Sequence, residues 1–284
     1  MSVHAPRVAR PAEPTRRPAP DSYVGLRAVV LRGLLDRRRS VLVWGGSLGA
    51  FGAFMAAIYP TIRSSIEQIA KSYPAGLKEA FGVQTMNTVE GYLHAELFSL
   101  IVPLAIGYYA VRAVAAPIAG AEERGELDTI LSLPLSRHVL AAGSCIVAAL
   151  TSGAVLALTG VMTLSVGAIA GTDISPGLVA AGCAGTWPLA LFAGGMAAVA
   201  AGWLHGSMAV TGTAMGILVA MYALDLAGRM AHSLDALRYL SAFRYYGAPM
   251  RDGIDPAAFV GLTGAAIMLM VIGAVLLDRR DVLH

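Results

Sequence analysis

Charge is what this chain has least of. Asp, Glu, Lys and Arg together make up 14% of its 284 residues, where a soluble domain carries roughly a quarter. A chain so poor in charge, 56% apolar and with a mean hydropathy of +0.65, does not read as a soluble globular domain. Cysteine is almost missing as well. Cys145 and Cys183 are the only two, which excludes a disulfide framework, and their spacing is not that of metal ligands. They read as small packing residues inside apolar runs. The six histidines are scattered and none forms a His-x-x-x-His pair. No Gly-x-x-x-x-Gly-Lys-[Ser/Thr] loop is present, so the chain lacks the backbone cradle and the lysine that ATP phosphates need. Glu122-Glu123 opens like a membrane-protease motif, but Leu127 stands where that motif requires arginine. No Ser-His-Asp constellation can be placed. The chain is therefore expected to have no catalytic residue, no metal site and no cofactor of its own.

What is there in abundance is apolar sequence in long runs. A helix needs about 20 such residues to cross a bilayer. Residues 41–58, 97–116, 139–170, 178–204, 208–227 and 257–277 supply six of them. None alternates polar and apolar residues as a membrane β-barrel would. The fold class expected is all-α, a polytopic membrane protein with six transmembrane helices in a domain covering residues 23–284. The third and fourth runs exceed the minimum, which predicts tilt or emergence from the bilayer. Pro188 is a candidate kink in the fourth.

Basic residues orient the spans. With six spans, both termini share a side. Fourteen Lys and Arg fall on that side and seven on the other. The positive-inside rule then places both termini in the cytoplasm of a cell-membrane protein. The net charge of +3 reflects this topology. No nucleic-acid motif accompanies the arginine cluster, so no nucleic-acid partner is expected.

Residues 1–22 are rich in Pro, Arg and Ala and predict a disordered cytoplasmic tail, not a secretory signal peptide. Residues 25–39 differ. Leu26, Val29, Val30 and Leu34 share one helical face. That pattern predicts an interfacial helix lying along the inner membrane surface before the chain turns into the first span. Two segments on the outer side are long enough to fold. Residues 59–95 carry Ile62, Ile66, Ile69 and Tyr73 at helical spacing up to Pro74, and residues 229–256 carry Leu234, Leu237 and Leu240. Short helices resting on the outer ends of the spans are expected, with Tyr239, Tyr245 and Tyr246 suited to the headgroup level.

The span centres contain no paired Asp, Glu or Lys, which counts against a proton- or sodium-coupled carrier. Glu96, Arg112 and Asp225 lie near span ends, where snorkelling brings a charge to the interface. Span three carries Ser144, Thr151, Ser152, Thr159 and Thr163 with Gly143, Gly153 and Gly160, a composition typical of helix packing.

The most informative stretch joins spans two and three. In residues 121–138 the apolar Leu127, Ile130, Leu131 and Pro134 recur at i, i+3, i+4 and i+7, beside the acidic Glu122, Glu123, Glu126 and Asp128. A helix here has one apolar stripe and one acidic face, which suits docking of a soluble partner. A plain solvated connection would show the same polarity.

This segment resembles one in the membrane subunits of type-2 ATP-binding-cassette exporters. Glu122, Gly125, Leu127, Ile130, Leu131, Ser132, Leu133, Pro134, Leu135, Ser136 and Arg137 follow that family's pattern in order. Residues 241–246 and Arg279-Arg280-Asp281 are similar to its later stretches. Glu126 and Gly143-Ser144 depart from it, where the family often has Thr and Gly-Lys. The resemblance implies a cytoplasmic coupling helix in which Glu122, Glu123, Gly125, Leu127, Ile130, Leu131, Pro134, Ser136 and Arg137 engage a groove of a separate ATPase. It implies ATP and Mg in that ATPase, and a second permease, identical or related, beside this one in the lipid bilayer. It implies export of a drug or antibiotic, a lipid or a peptide-like compound. An intramembrane enzyme and a membrane scaffold recruiting a cytoplasmic partner are the competing readings.

Overall fold

The computed structural model describes residues 22–72, 88–123 and 137–279. Six of its helices are long and apolar enough to cross a membrane. They are α1 (Ser22–Ser72), α2 (Ile101–Glu123), α3 (Arg137–Ile169), α4 (Pro176–Ala201), α5 (Ser207–Met230) and α6 (Pro256–Arg279). Among the described residues there is no strand, in keeping with the all-α expectation.

The short elements gather at one end of the bundle. A helix Val89–Leu93 runs into a π-helical turn, His94–Phe98, just before α2. A 3₁₀ helix, His232–Leu240, and two short α-helices, Ala242–Tyr246 and Pro249–Asp252, lie between α5 and α6. The short helices expected in 229–256 are therefore present. Of the expected 59–95 helices, the first is the tail of α1, which continues through Pro60 to Ser72. Residues 73–87 lie outside the described residues. This end is called the short-helix end below. The opposite one, where α2 stops and α3 starts, is the 123–137 end.

The N-terminal prediction needs correcting. Residues 25–39 do not form a separate helix that turns into the first span. They are the start of α1, a single helix of 51 residues and about 75 Å at 1.5 Å per residue. No Pro or Gly lies between Leu34 and Trp44 to break it. The apolar face also has a partner. A Cβ on Gly143 of α3 would lie 2.6 Å from Val29 and 3.7 Å from Leu26, so both side chains already sit against α3. Val30 and Leu34 are half-buried beside them.

Glycine sets the spacing of the bundle. Helices α1 and α3 run parallel, and a Cβ on Gly45 or Gly49 would come within 3.0 Å of Leu158 or Met162. The contact at Gly33 with Val147 keeps the same register. Small residues at these positions let two backbones approach closely, which is how helices associate without a hydrophobic drive between them. Helices α4 and α6 are a second parallel pair, with Gly195 against Leu269 and Gly202 against Leu276. Helix α4 is the centre of the fold and packs on α2, α3, α5 and α6. It is continuous through Pro188, which is buried.

The hydroxyls of α3 behave as packing groups. Ser144, Thr151, Thr159 and Thr163 are buried and donate to the carbonyls of Leu140, Val147, Val155 and Thr159 one turn back. Ser152 donates to Ala149 O, as does Trp187 Nε1 of α4 at 2.9 Å. Cys145 and Cys183 are free and buried.

Candidate functional site

The 123–137 end carries the polar connections between spans. Glu122 and Glu123 close α2 and Arg137 opens α3. Gly125, Leu127, Ile130, Leu131, Pro134 and Ser136 lie outside the described residues. The flanks are nevertheless informative. Glu123 Oε1 accepts a hydrogen bond from the backbone N–H of Ser207, at 3.0 Å, and so supplies the N-terminal cap that α5 lacks from its own sequence. The residue before it, Gly206, has φ +90° and sits against that carboxylate, a conformation and a clearance that suit glycine. Arg112 of α2 donates to Ser207 Oγ at 2.7 Å. It therefore bridges two spans instead of reaching outward to an interface. Arg37 of α1 donates to Ala113 O of α2 at 3.0 Å, and the Trp44 ring lies 6.1 Å from that of Tyr109. Helix α2 is thus tied to α1 at Tyr109 and Ala113, and to α5 at Arg112 and at Glu123, where the described part of α2 ends.

The short-helix end is held by a different network. Asp225 of α5 is 2% exposed and binds Arg229 at 2.6 Å and Arg238 of the 3₁₀ helix at 3.0 Å. The snorkelling expected of Asp225 is overturned: the neighbouring 3₁₀ helix folds over it and brings a guanidinium to it. Arg238 also pairs with Asp235, and Arg244 stacks over the Tyr239 ring with its carbon 3.9 Å from the centroid. Ser241 Oγ donates to Met221 O at 2.6 Å. Tyr246 is buried, donates to Phe98 O at 2.7 Å and lies 3.2 Å from Thr186 Oγ1. Burial pushes its hydroxyl pKa up, so it stays protonated. Of the three tyrosines expected at headgroup level, only Tyr239 and Tyr245 are exposed; Tyr246 is a pin between three elements.

His94, in the π-helical turn, is 8% exposed and its Nδ1 has no partner. Burial, with Arg251 and Arg229 nearby, pushes its pKa down to about 4. Arg251 donates to Asp252 and holds that carboxyl below its usual range. Glu90 accepts from Ser175 N at 2.7 Å and so fixes the start of α4. Among the described residues no three His, Cys, Asp or Glu side chains gather as a metal site requires.

Among the described residues, two cavities of useful size lie between spans. One of about 480 Å³ lies between α3, α4 and α6, with Gly153, Gly160 and Trp187 among its walls, and it carries no charged side chain. The other, of about 620 Å³, lies between α5 and α6 over Phe192 of α4, with Tyr245 and Asp255 near its mouth. Both fall in the size range of small-molecule sites, about 300–1,000 Å³.

Residues 33–277 match the family model described as "Multidrug efflux system permease Rv1217c, C-terminal domain". The chain belongs to this family. A comparison with individual curated proteins finds no match. Membership and the six apolar helices together identify a multi-pass membrane permease of the efflux type. In such a permease the residues that sequence reasoning missed are those at helix ends. The capping role of Glu123 and the pairing of Asp225 depend on which helix ends meet, and only Asp255-Pro256, an Asp before a helix-starting Pro, carried a local signal.

Proposed function

We propose that this chain is the membrane subunit of an ATP-binding-cassette exporter, driven by a separate ATPase that holds ATP and Mg. The 123–137 end faces the cytoplasm, a reading supported by the distribution of basic residues, fourteen against seven. Residues 121–138 form the coupling helix, with Leu127, Ile130, Leu131 and Pro134 as its buried stripe. The observation that carries this reading is the wiring of the segment's flanks. Its entry, Glu123, caps α5; its exit, Arg137, begins α3; and earlier in α2, Ala113 O accepts a hydrogen bond from Arg37 of α1. A displacement of the segment would reach α2 and α3 through the chain itself, α5 through Glu123, and α1 by way of α2.

Movement of the ATPases on binding ATP would shift the population of inward-open and outward-open states through these contacts. A second permease copy, or a related one, covers exposed apolar surface such as Ile217 and Val219 of α5. The start of α1, with Arg27, Arg32, Arg38 and Arg39 exposed, lies at the cytoplasmic membrane surface. The substrate is a drug-like or lipid-like compound, in keeping with the apolar walls of both cavities.

The test is Leu131→Arg, made in the chain co-expressed with its ATPase partner. An unpaired charge in a buried interface costs on the order of a few kcal/mol, enough to weaken docking by tens- to hundreds-fold. Normal membrane insertion with loss of ATPase co-purification and of transport is expected, and Asp128→Asn on the polar face should do far less. Full transport by Leu131→Arg would reduce the segment to a connecting loop.

A further inference from the structure

The cleft between α5 and α6 has an uneven chemistry. Its floor is Phe192 of α4, its sides include Met221 of α5 and Leu262 of α6, and Tyr245 and Asp255 stand at the short-helix end. From Asp255 to Ala265 it follows α6 for ten residues, about 15 Å at 1.5 Å per residue. Ser241 also lines it, but its hydroxyl already donates to Met221 O and accepts from Phe243 N. Among the described residues Asp255 is thus the one charged group of an otherwise apolar cleft.

That carboxylate is exposed and pairs with no basic side chain among the described residues. Arg229 and Arg238 bind Asp225, Arg238 and Arg244 reach Asp235, and Arg251 binds Asp252. Asp255 has no basic partner among the described residues. Its Oδ1 accepts from Ala257 N at 2.9 Å and Ala258 N at 3.4 Å, capping α6. Its Oδ2 has no hydrogen-bond partner among the described residues. Tyr245, 45% exposed, lines the same cleft, and an aromatic face together with a carboxylate attracts a cation. Among the described residues no basic side chain lines the cleft to hold a phosphate or carboxylate.

We propose that this cleft binds a lipophilic organic monocation, with its charge at Asp255 and Tyr245 and its apolar body lying toward Phe192. This deepens the export reading by naming a substrate class, and only its transport arm rests on that reading. The charge selects by sign. The apolar walls select by body, since a polar compound would lose its hydration against Met221 and Leu262 without replacement hydrogen bonds.

The probes are tetraphenylphosphonium and tetraphenylborate, which share a shape and differ in sign. Equilibrium dialysis against the full chain in lipid nanodiscs, with empty nanodiscs subtracted, should show saturable binding of the cation and none of the anion. Asp255→Asn keeps the helix cap, since Asn caps as well as Asp, and should weaken the cation about tenfold. Gly261→Leu fills the cleft from a position where a Cβ meets nothing within 4 Å, and should abolish binding. Equal binding of both probes, or unchanged affinity in Asp255→Asn, overturns the proposal. Binding that behaves as expected, without ATP-driven movement of any compound by the complete complex, supports the site and sinks the export reading instead.

Discussion

Replacing Asp225 by Asn isolates the contact on which the short-helix end depends. The substitution keeps the shape and removes the charge facing Arg229 and Arg238. Removing one partner of a buried ion pair costs about 3–5 kcal/mol when the other is left without water. Here the two arginine side chains keep 35% and 24% of their exposure, while Asp225 keeps 3%. Water therefore re-solvates the guanidiniums in part, and about 2 kcal/mol of local stability is the expected loss. The loss should be local, because the 3₁₀ helix is joined to the bundle through few other polar contacts, chiefly Ser241 to Met221 O. At about 1.4 kcal/mol per tenfold, amides in 232–246 should exchange with solvent about 30-fold faster, while those of the buried α4 keep their rate. Hydrogen exchange read by mass spectrometry on the detergent-purified chain measures both. Asp235→Asn is the control: its side chain is 42% exposed, and an exposed pair contributes about 0–1 kcal/mol. Unchanged exchange in 232–246 for Asp225→Asn would refute the reasoning, as would an equal effect of Asp235→Asn.

Other outcomes test other parts of the structure. Glu123→Ala removes the cap of α5, a loss of about 1 kcal/mol; the ATPase should still co-purify, but stimulation of its hydrolysis by substrate should fall. His94 titrates at about 4 when folded and near its ordinary 6.5 when unfolded. The unfolded chain therefore binds more protons between these values, and stability is lost as pH falls from about 6.5 to about 4, by up to about 3 kcal/mol. Melting curves across that range should show the slope, and His94→Phe should flatten it. Gly49→Leu forces a side chain into Met162 at 2.8 Å and should cost about 1–3 kcal/mol by overpacking. Gly46→Leu, where a Cβ meets nothing within 4 Å, should melt like the parent, and equal melting of the two variants would discard the glycine-set register of α1 and α3.

Much of this molecule is legible in one dimension because a bilayer simplifies the problem. Hydrocarbon leaves the backbone little choice but the helix, so each apolar run of sufficient length becomes one. That is why the six spans, and the packing role of the α3 hydroxyls, follow from the residues themselves. The short helices between α5 and α6 were legible for a related reason: Leu234, Leu237 and Leu240 carry a helical period. What the sequence could not decide is which ends meet. Residues 25–39 have the pattern of a surface helix, and only the arrival of α3 against Leu26 and Val29 shows that the apolar face is covered by protein. Asp225 looked able to reach water, and the fold of the 3₁₀ helix buries it against Arg238. Glu123 caps a helix that begins 84 residues later. Amphipathic period is a property of neighbours along the chain, whereas burial and charge pairing depend on neighbours in space, and those are chosen by the packing of all six helices together.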